Sequence, residues 1–207
     1  MIKTQIRTFS KDGILVQQRR NLIINEAMRV FSKNGYDRTN MTEIAEALGM
    51  TRGFLYHYLG SKEDILKMII NGTVENQRLG LEVSTSALES IDPAEALLLG
   101  IEKFILGIDQ NSDGYIFINH VMVNLPSEYR EYVFKSEKRV IVLFENILSR
   151  GKESGQFKVD DTFAIAHTIL VLSAAWAHRR WMLGKRYTVK TYIKEVQKQI
   201  FQMTGYS

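Results

Sequence analysis

From Thr39 to Lys62 the apolar positions come in short, closely punctuated runs. Met41, Ile44, Ala45 and Leu48 put one stripe on a two-turn helix. Asn40 stands in front of it as an N-cap, and Glu43, three residues on, can reach back to close a capping box. Gly49 ends the run as a residue that takes the left-handed conformation after a last turn. Thr51 can cap a second short helix with Leu55 and Leu59 on its inner face. Gly53, Tyr56 and His57 then fall on the other side, and Arg52 projects from the N-terminal end. Ser61, with Asp64 three positions on, opens another helix. Upstream, Leu22, Ile23, Ala27, Val30 and Phe31 predict a helix from near Gln17 to Asn34, stopped by Gly35. This is helix-turn-helix punctuation.

The rest of the chain keeps the helical period. Ile65, Leu66, Ile69 and Ile70 predict a helix from Lys62 to about Ser84, with residues 84–91 as a Ser/Thr-rich boundary. Asp92-Pro93-Ala94-Glu95 is a strong helix start: cap, proline at the first position, carboxylate three beyond the cap. Leu97, Leu98, Ile101, Phe104, Ile105 and Ile108 are expected to face inward after it. Asn111 to Gly114 reads as a turn, 115–124 as a short helix, and Ser127 as the cap of a long helix closed by Gly151 and Gly155. Phe163 to Ala177 is apolar on every side but too short to cross a bilayer, which needs about 20 apolar residues. It reads as a helix buried all round, one face against its own core and the other against a second chain. The last helix, from about Thr188 to Met203, has one apolar stripe. Ala174, Ala177, Ile193, Val196 and Ile200 are the expected contacts of a four-helix homodimer interface.

The fold class is therefore all-α, in three parts: a basic arm at 1–15, a helix-turn-helix domain at 16–62, and a larger helical domain at 63–207. Charge sharpens the division. Residues 1–62 hold ten Lys/Arg against five Asp/Glu, while the remainder is nearly balanced. The positive excess thus sits where phosphates would be bound. The arm, with Lys3, Arg7 and Lys11, could enter a minor groove or be a solvated terminus. The absence of Cys excludes a disulfide framework and thiolate metal sites, and no apolar run has signal-peptide length, so a cytoplasmic protein without a membrane partner is expected. His57, His120, His167 and His178 lack metal-ligand spacing, and there is no phosphate loop or nucleophile motif. No enzyme, cofactor or metal is expected.

The residues from about Arg20 to Leu66 resemble the DNA-binding domain of the TetR/AcrR transcriptional regulators. The resemblance is carried by Ile23, Ala27, Phe31 and Gly35, then Thr39, Ile44-Ala45 and Gly49. Leu55-Tyr56, Ser61-Lys62-Glu63 and Ile65-Leu66 complete it. It implies DNA contacts at Thr42, Arg52, Gly53, Tyr56, His57, Tyr58 and Lys62. Phe54, Leu59 and Gly60 depart from the usual pattern, which bears on base preference. Arg52 can take guanine or a phosphate, and Tyr58 lies partly toward the core face. Lys62, in the first turn of its helix, opposes the helix dipole unless an anion is near. The C-terminal half resembles the family's ligand-binding and dimerisation domain in general pattern only.

That resemblance implies a palindromic operator on double-stranded DNA, bound by a homodimer and released by a small apolar effector. Phe104, Ile108, Phe117, Phe144 and Trp176, with His120, Asn124 and His167 as polar points, are the candidate ligand pocket; residue by residue core filling is the safer reading, and the resemblance reverses that preference for the domain as a whole. An acyl-CoA is the favoured effector, because Arg179, Arg180 and Lys185 could meet phosphates at a pocket mouth. The alternative, a helical ligand carrier or scaffold without specific DNA binding, would show no sequence-specific shift of DNA.

Overall fold

Local capping decides where most helices begin. The computed structural model describes residues 13–206, without the side chains of residues 13–17, 57, 76–87 and 89. Most of the basic arm therefore lies outside the described residues. Among the described residues the chain forms α1 (Gly13–Asn34), α2 (Met41–Ala47), α3 (Arg52–Tyr58), α4 (Lys62–Ser90) and α5 (Pro93–Gln110). There follow α6 (Ser112–Val121), a 3₁₀ turn at Met122–Asn124, α7 (Ser127–Glu153), α8 (Thr162–His178), α9 (Arg180–Leu183) and α10 (Val189–Met203). The all-α expectation holds, with no strand among the described residues.

The chain divides into two units. The first runs to Thr73 and takes in Phe117–Arg130. Its core is built from Ile23, Ala27 and Phe31 of α1, Ile44 and Ala45 of α2, and Leu55 and Leu59 at α3. Ile65, Leu66, Ile69 and Ile70 of α4 complete it. Phe31 stacks on Phe117 at 5.8 Å and meets Tyr36 edge-on at 5.1 Å, so a segment distant in sequence closes this small domain.

The second unit comprises Val74–Ile116 and Glu131–Ser207. Here α5, α8 and α10 pack on one another, joined by Val140, Phe144, Ile147 and Leu148 of α7. Asp92 caps α5 through the amides of Ala94 and Glu95, with Pro93 in the first turn. Trp176 stacks on Tyr192 at 5.1 Å, and its indole N–H donates to Asp109 at 2.7 Å. Among the described residues no helix is long and apolar enough to cross a membrane.

Several expectations change. The boundary expected at 84–91 shrinks to Ile91–Asp92: α4 continues to Ser90, where Leu88 is buried and the Arg150 guanidinium donates to the carbonyls of Leu88 and Ile91. The turn at Asn111–Gly114 shrinks to Asn111, since α6 restarts at Ser112. Ser127 is the first residue of α7, whose opening amide bonds run to Pro126 O. Leu98 is 40% exposed rather than inward.

Two further corrections concern α8 and α10. Helix α8 is not buried all round, since Phe163 and Val171 are 53% and 56% exposed. Ala177, Ile193, Val196 and Ile200, expected at a dimer interface, are buried in the chain's own core and are unavailable to a partner. Of that set only Ala174 remains partly open.

Candidate nucleic-acid interface

Each joint of the helix-turn-helix is fixed by a local bond. Gly35, at φ +85, ends α1, and the Thr39 hydroxyl donates to Gly35 O at 2.8 Å. Asn40 accepts from the amides of Thr42 and Glu43, while the Glu43 carboxylate accepts from Asn40 N at 2.8 Å, a closed capping box. Gly49 takes φ +63, and Met50 N returns to Ala45 O at 2.8 Å. Thr51 accepts from Phe54 N and so starts α3. Ser61 accepts from Asp64 N and starts α4. With both ends tied, α3 has its orientation set by Leu55 and Leu59, which are fully buried.

What α3 turns outward is one polar pair on a bare backbone. Arg52, Gly53, Phe54 and Tyr56 are exposed. The Arg52 guanidinium donates to the Tyr56 hydroxyl at 3.3 Å and lies 5.4 Å from its ring centroid. An arginine offers five N–H donors in a rigid fork, so this contact orders the side chain and leaves most donors outward. A Cβ on Gly53 would meet nothing within 4 Å. The chain's own packing therefore gives no reason for glycine there. Phe54 and Tyr58 meet edge-on at 5.1 Å, and Tyr58 is half-buried, between the core and the open face. Thr42 is exposed in the first turn of α2, and the side chain of His57 lies outside the described residues.

Lys62 behaves differently from expectation. Its ammonium donates to Tyr36 O at 2.9 Å and Asp37 O at 3.3 Å and sits 4.5 Å from the Tyr36 ring centroid. These carbonyls of the loop after α1 offset the conflict with its own helix dipole. Beside it, Tyr129, fully buried, donates to the Glu63 carboxylate at 2.7 Å. That bond, then Lys67, holds the Glu63 pKa below its ordinary value. Burial, the bond to Glu63 and the neighbouring carboxylates push Tyr129 far up. Burial, with Glu63 and Asp37 nearby, pushes Tyr36 up to about 12.

The candidate pocket residues do not converge. Phe104, Ile108, Phe144 and Trp176 belong to the core of the second unit. Phe117, His120 and Asn124 instead line a cleft of about 380 Å³ in the first unit, with Phe31, Lys33, Tyr36 and Arg38. His167 is exposed and stacks on Phe163 at 5.8 Å. Arg180 is taken up by Asp109, by Ser112 at 3.1 Å and by the Trp176 ring, so it is not a waiting phosphate ligand. The Glu63–Tyr129 link escaped sequence reasoning, because 66 residues separate its partners and no local pattern marks either one.

A helix-turn-helix whose second helix turns an arginine–tyrosine pair outward, followed in the chain by an all-helical second unit, is the arrangement of a DNA-reading regulator. Comparison with known proteins agrees. Residues 23–69 match the model for bacterial regulatory proteins of the tetR family, and residues 90–196 match the tetracyclin repressor-like C-terminal domain. The chain belongs to the tetR family of transcriptional regulators, a family of regulators and not of enzymes. It is 23% identical over 190 residues to the HTH-type transcriptional regulator HbdR of Aromatoleum sp. (strain CIB), covering 92% of this chain and 82% of the relative. It is 28% identical over 180 residues to the HTH-type transcriptional repressor KstR2 of Rhodococcus jostii (strain RHA1), covering 86% of each. Its fold is shared with AibR, solved in complex with isovaleryl coenzyme A and operator DNA: TM-score 0.71, 24% identity, 91% of this chain and 100% of that one.

Proposed function

We propose that this regulator is a repressor that binds a palindromic operator as a homodimer and leaves it when a small effector with an apolar acyl chain, an acyl-CoA, is bound. The observation that carries the DNA half is the Arg52–Tyr56 pair, ordered and outward on α3 beside the open backbone of Gly53. In a dimer, two copies of α3 enter successive major grooves about 34 Å apart. Arg52 reads a base edge or grips a phosphate, and Tyr56, His57 and Tyr58 lie along the adjoining sugar and phosphate. Thr42 serves a phosphate at the start of α2. Lys62 has three donors and commits two to carbonyls, which leaves one for a phosphate.

The choice of ligand rests on the large apolar second unit and on likeness to AibR, solved with isovaleryl coenzyme A, while release from the operator is this reading's own step. The ligand favours a dimer whose recognition helices no longer match the groove spacing. A gel-shift assay on the DNA beside the protein's own gene tests the whole reading. Wild type should shift that fragment and not random DNA, and the Arg52→Ala, Tyr56→Ala double variant should not shift it. Full-strength binding by that variant would sink the assignment. Release by acyl-CoAs, with a raised melting temperature, is the expected ligand response. Release by a planar cationic drug alone would remove the acyl-CoA.

A further inference from the structure

The cleft of about 380 Å³ lies wholly within the first unit, and its volume falls in the range of roughly 300–1,000 Å³ usual for small-molecule sites. One wall is the end of α1 with the loop after it, residues 32–38. The other is the end of α6 with the 3₁₀ turn, residues 117–124. The first wall is fixed by bonds already in place. The Lys62 ammonium donates to the Tyr36 and Asp37 carbonyls, and the Thr39 hydroxyl donates to Gly35 O. The two walls meet where Phe31 stacks on Phe117, with half-buried Tyr36 edge-on to Phe31. The recess therefore has its shape before a ligand arrives.

Its polar groups are unspent. Lys33 and Arg38 stand on one wall, His120 and Asn124 on the other, and all four are exposed. Among the described residues their side chains take no hydrogen-bond or ion-pair partner. Asp37 is the one acid in the lining. Helix α1 ends at this wall, and among the described residues the carbonyls of residues 32–34 accept no backbone hydrogen bond. Cations call for an anion, whereas Asp37 and free carbonyls call for hydroxyl donors. A carboxylate would be satisfied by the arginine fork alone. A phosphate monoester has three acceptor oxygens and a charge of about −1.5 to −2, so it can engage Arg38, Lys33 and a donor from the opposite wall together. We infer that this cleft binds a small phosphate monoester carrying hydroxyl groups, a sugar phosphate or a nucleoside monophosphate. Arg38 and Lys33 hold the phosphate, and His120 and Asn124 close on it from the other wall. The site goes beyond the operator reading and does not depend on it.

The test is calorimetric titration of the full-length protein, without DNA, with glucose 6-phosphate and with adenosine 5′-monophosphate. Glucose, adenosine and inorganic phosphate serve as the separate parts of those probes. At least one ester should bind at micromolar to millimolar concentration and raise the melting temperature. Its uncharged part should not bind, and inorganic phosphate should bind at least about tenfold more weakly. Arg38→Gln should weaken the ester by about 10–100-fold, the worth of one charge-assisted hydrogen bond. His120→Ala, on the opposite wall, should weaken it as well, by about 5–10-fold. Lys103→Gln removes one positive charge from an exposed position on α5 and should leave binding unchanged. Arg38, His120 and Lys103 are all exposed, so these variants should keep the wild-type helical circular dichroism. Absence of both heat and stabilisation with the two esters at millimolar concentration overturns the inference. So does equal weakening by Lys103→Gln, which would reduce the effect to general charge attraction. A Lys33→Gln, Arg38→Gln variant that binds the ester normally but loses affinity for random duplex would also overturn it and give the two cations to the DNA backbone.

Discussion

A side chain at position 53 would enter open space, yet the position is glycine in the middle of an exposed helical face. Glycine in a helix costs roughly 0.5–1 kcal/mol relative to alanine. Gly53→Ala should therefore raise the unfolding free energy by up to about 1 kcal/mol while weakening operator binding, because the added methyl stands where a DNA backbone must approach. Urea denaturation and gel shift read the two effects separately, and a variant more stable and equally tight would show that nothing docks at Gly53. Tyr129 makes a different residue-scale case. The Glu63 pKa is held down in the folded state, so the stability this pair contributes is present above the ordinary value near 4.5 and is lost as pH falls through the lower folded value. Tyr129→Phe should cost about 1 kcal/mol at neutral pH, less for the exposure of Glu63, and the difference from wild type should shrink in acid. Denaturation curves at neutral pH and near pH ~3 check the sign. The outward character of Arg52, Gly53 and Tyr56 was legible from helical period alone, whereas Lys62 was not. Its partners are backbone carbonyls 25 and 26 residues away, which no side-chain pattern encodes.

Helix α4 ends where Arg150 ends it. The guanidinium fork takes Leu88 O at 2.7 Å and also Ile91 O, supplying donors to carbonyls at the end of the helix. Arg150→Ala should destabilise the protein by about 1.5–3 kcal/mol and fray the last turn of α4. Arg150→Lys should recover only part, since an ammonium cannot fork between two carbonyls in fixed geometry. Hydrogen exchange over residues 84–90 would localise the loss, and unchanged protection there would refute the capping role. Immediately after Arg150 in the chain, a Cβ on Gly151 would fall 2.0 Å from the buried Phe157 ring. Gly151→Ala should cost about 1–3 kcal/mol through overpacking. These two neighbours explain which element boundaries could be read in advance. The starts of α2, α3, α4 and α5 were legible because their caps, Asn40, Thr51, Ser61 and Asp92, lie within three residues of the amides they serve. The end of α4 was not, because it depends on a side chain 62 residues away, and the Ser/Thr-rich composition of 84–91 pointed the other way.

Helix α8 has apolar residues on two faces, and only one of them is used within the chain. Ile165, Ala166, Ile169, Trp176 and Ala177 enter the core, while Phe163, His167, Val171 and Ala174 form an outer stripe at helical spacing, exposed or half-exposed. The sequence showed that this helix is too apolar for a one-sided surface element, but it could not say which residues face which way. With only His167, Thr168 and Ser173 as polar positions, spread over both faces, the stretch carries little phase. The α10 stripe gave the opposite error, since its clean amphipathic pattern served the chain's own core. The proposed homodimer should therefore be held by the outer stripe of α8. A glutamate there loses the partner but leaves the chain folded, whereas a glutamate in the core leaves a buried, unpaired charge that costs several kcal/mol. Val171→Glu should give a helical monomer in sedimentation velocity at micromolar concentration. It should lose operator affinity by about 10²–10⁴-fold, because two half-sites are no longer engaged together. Ile193→Glu should instead lose its cooperative unfolding transition. If Val171→Glu remains dimeric and binds normally, the α8 interface is wrong. If wild type is itself a stable monomer, there is no dimer to explain, and a palindromic operator loses its geometric basis.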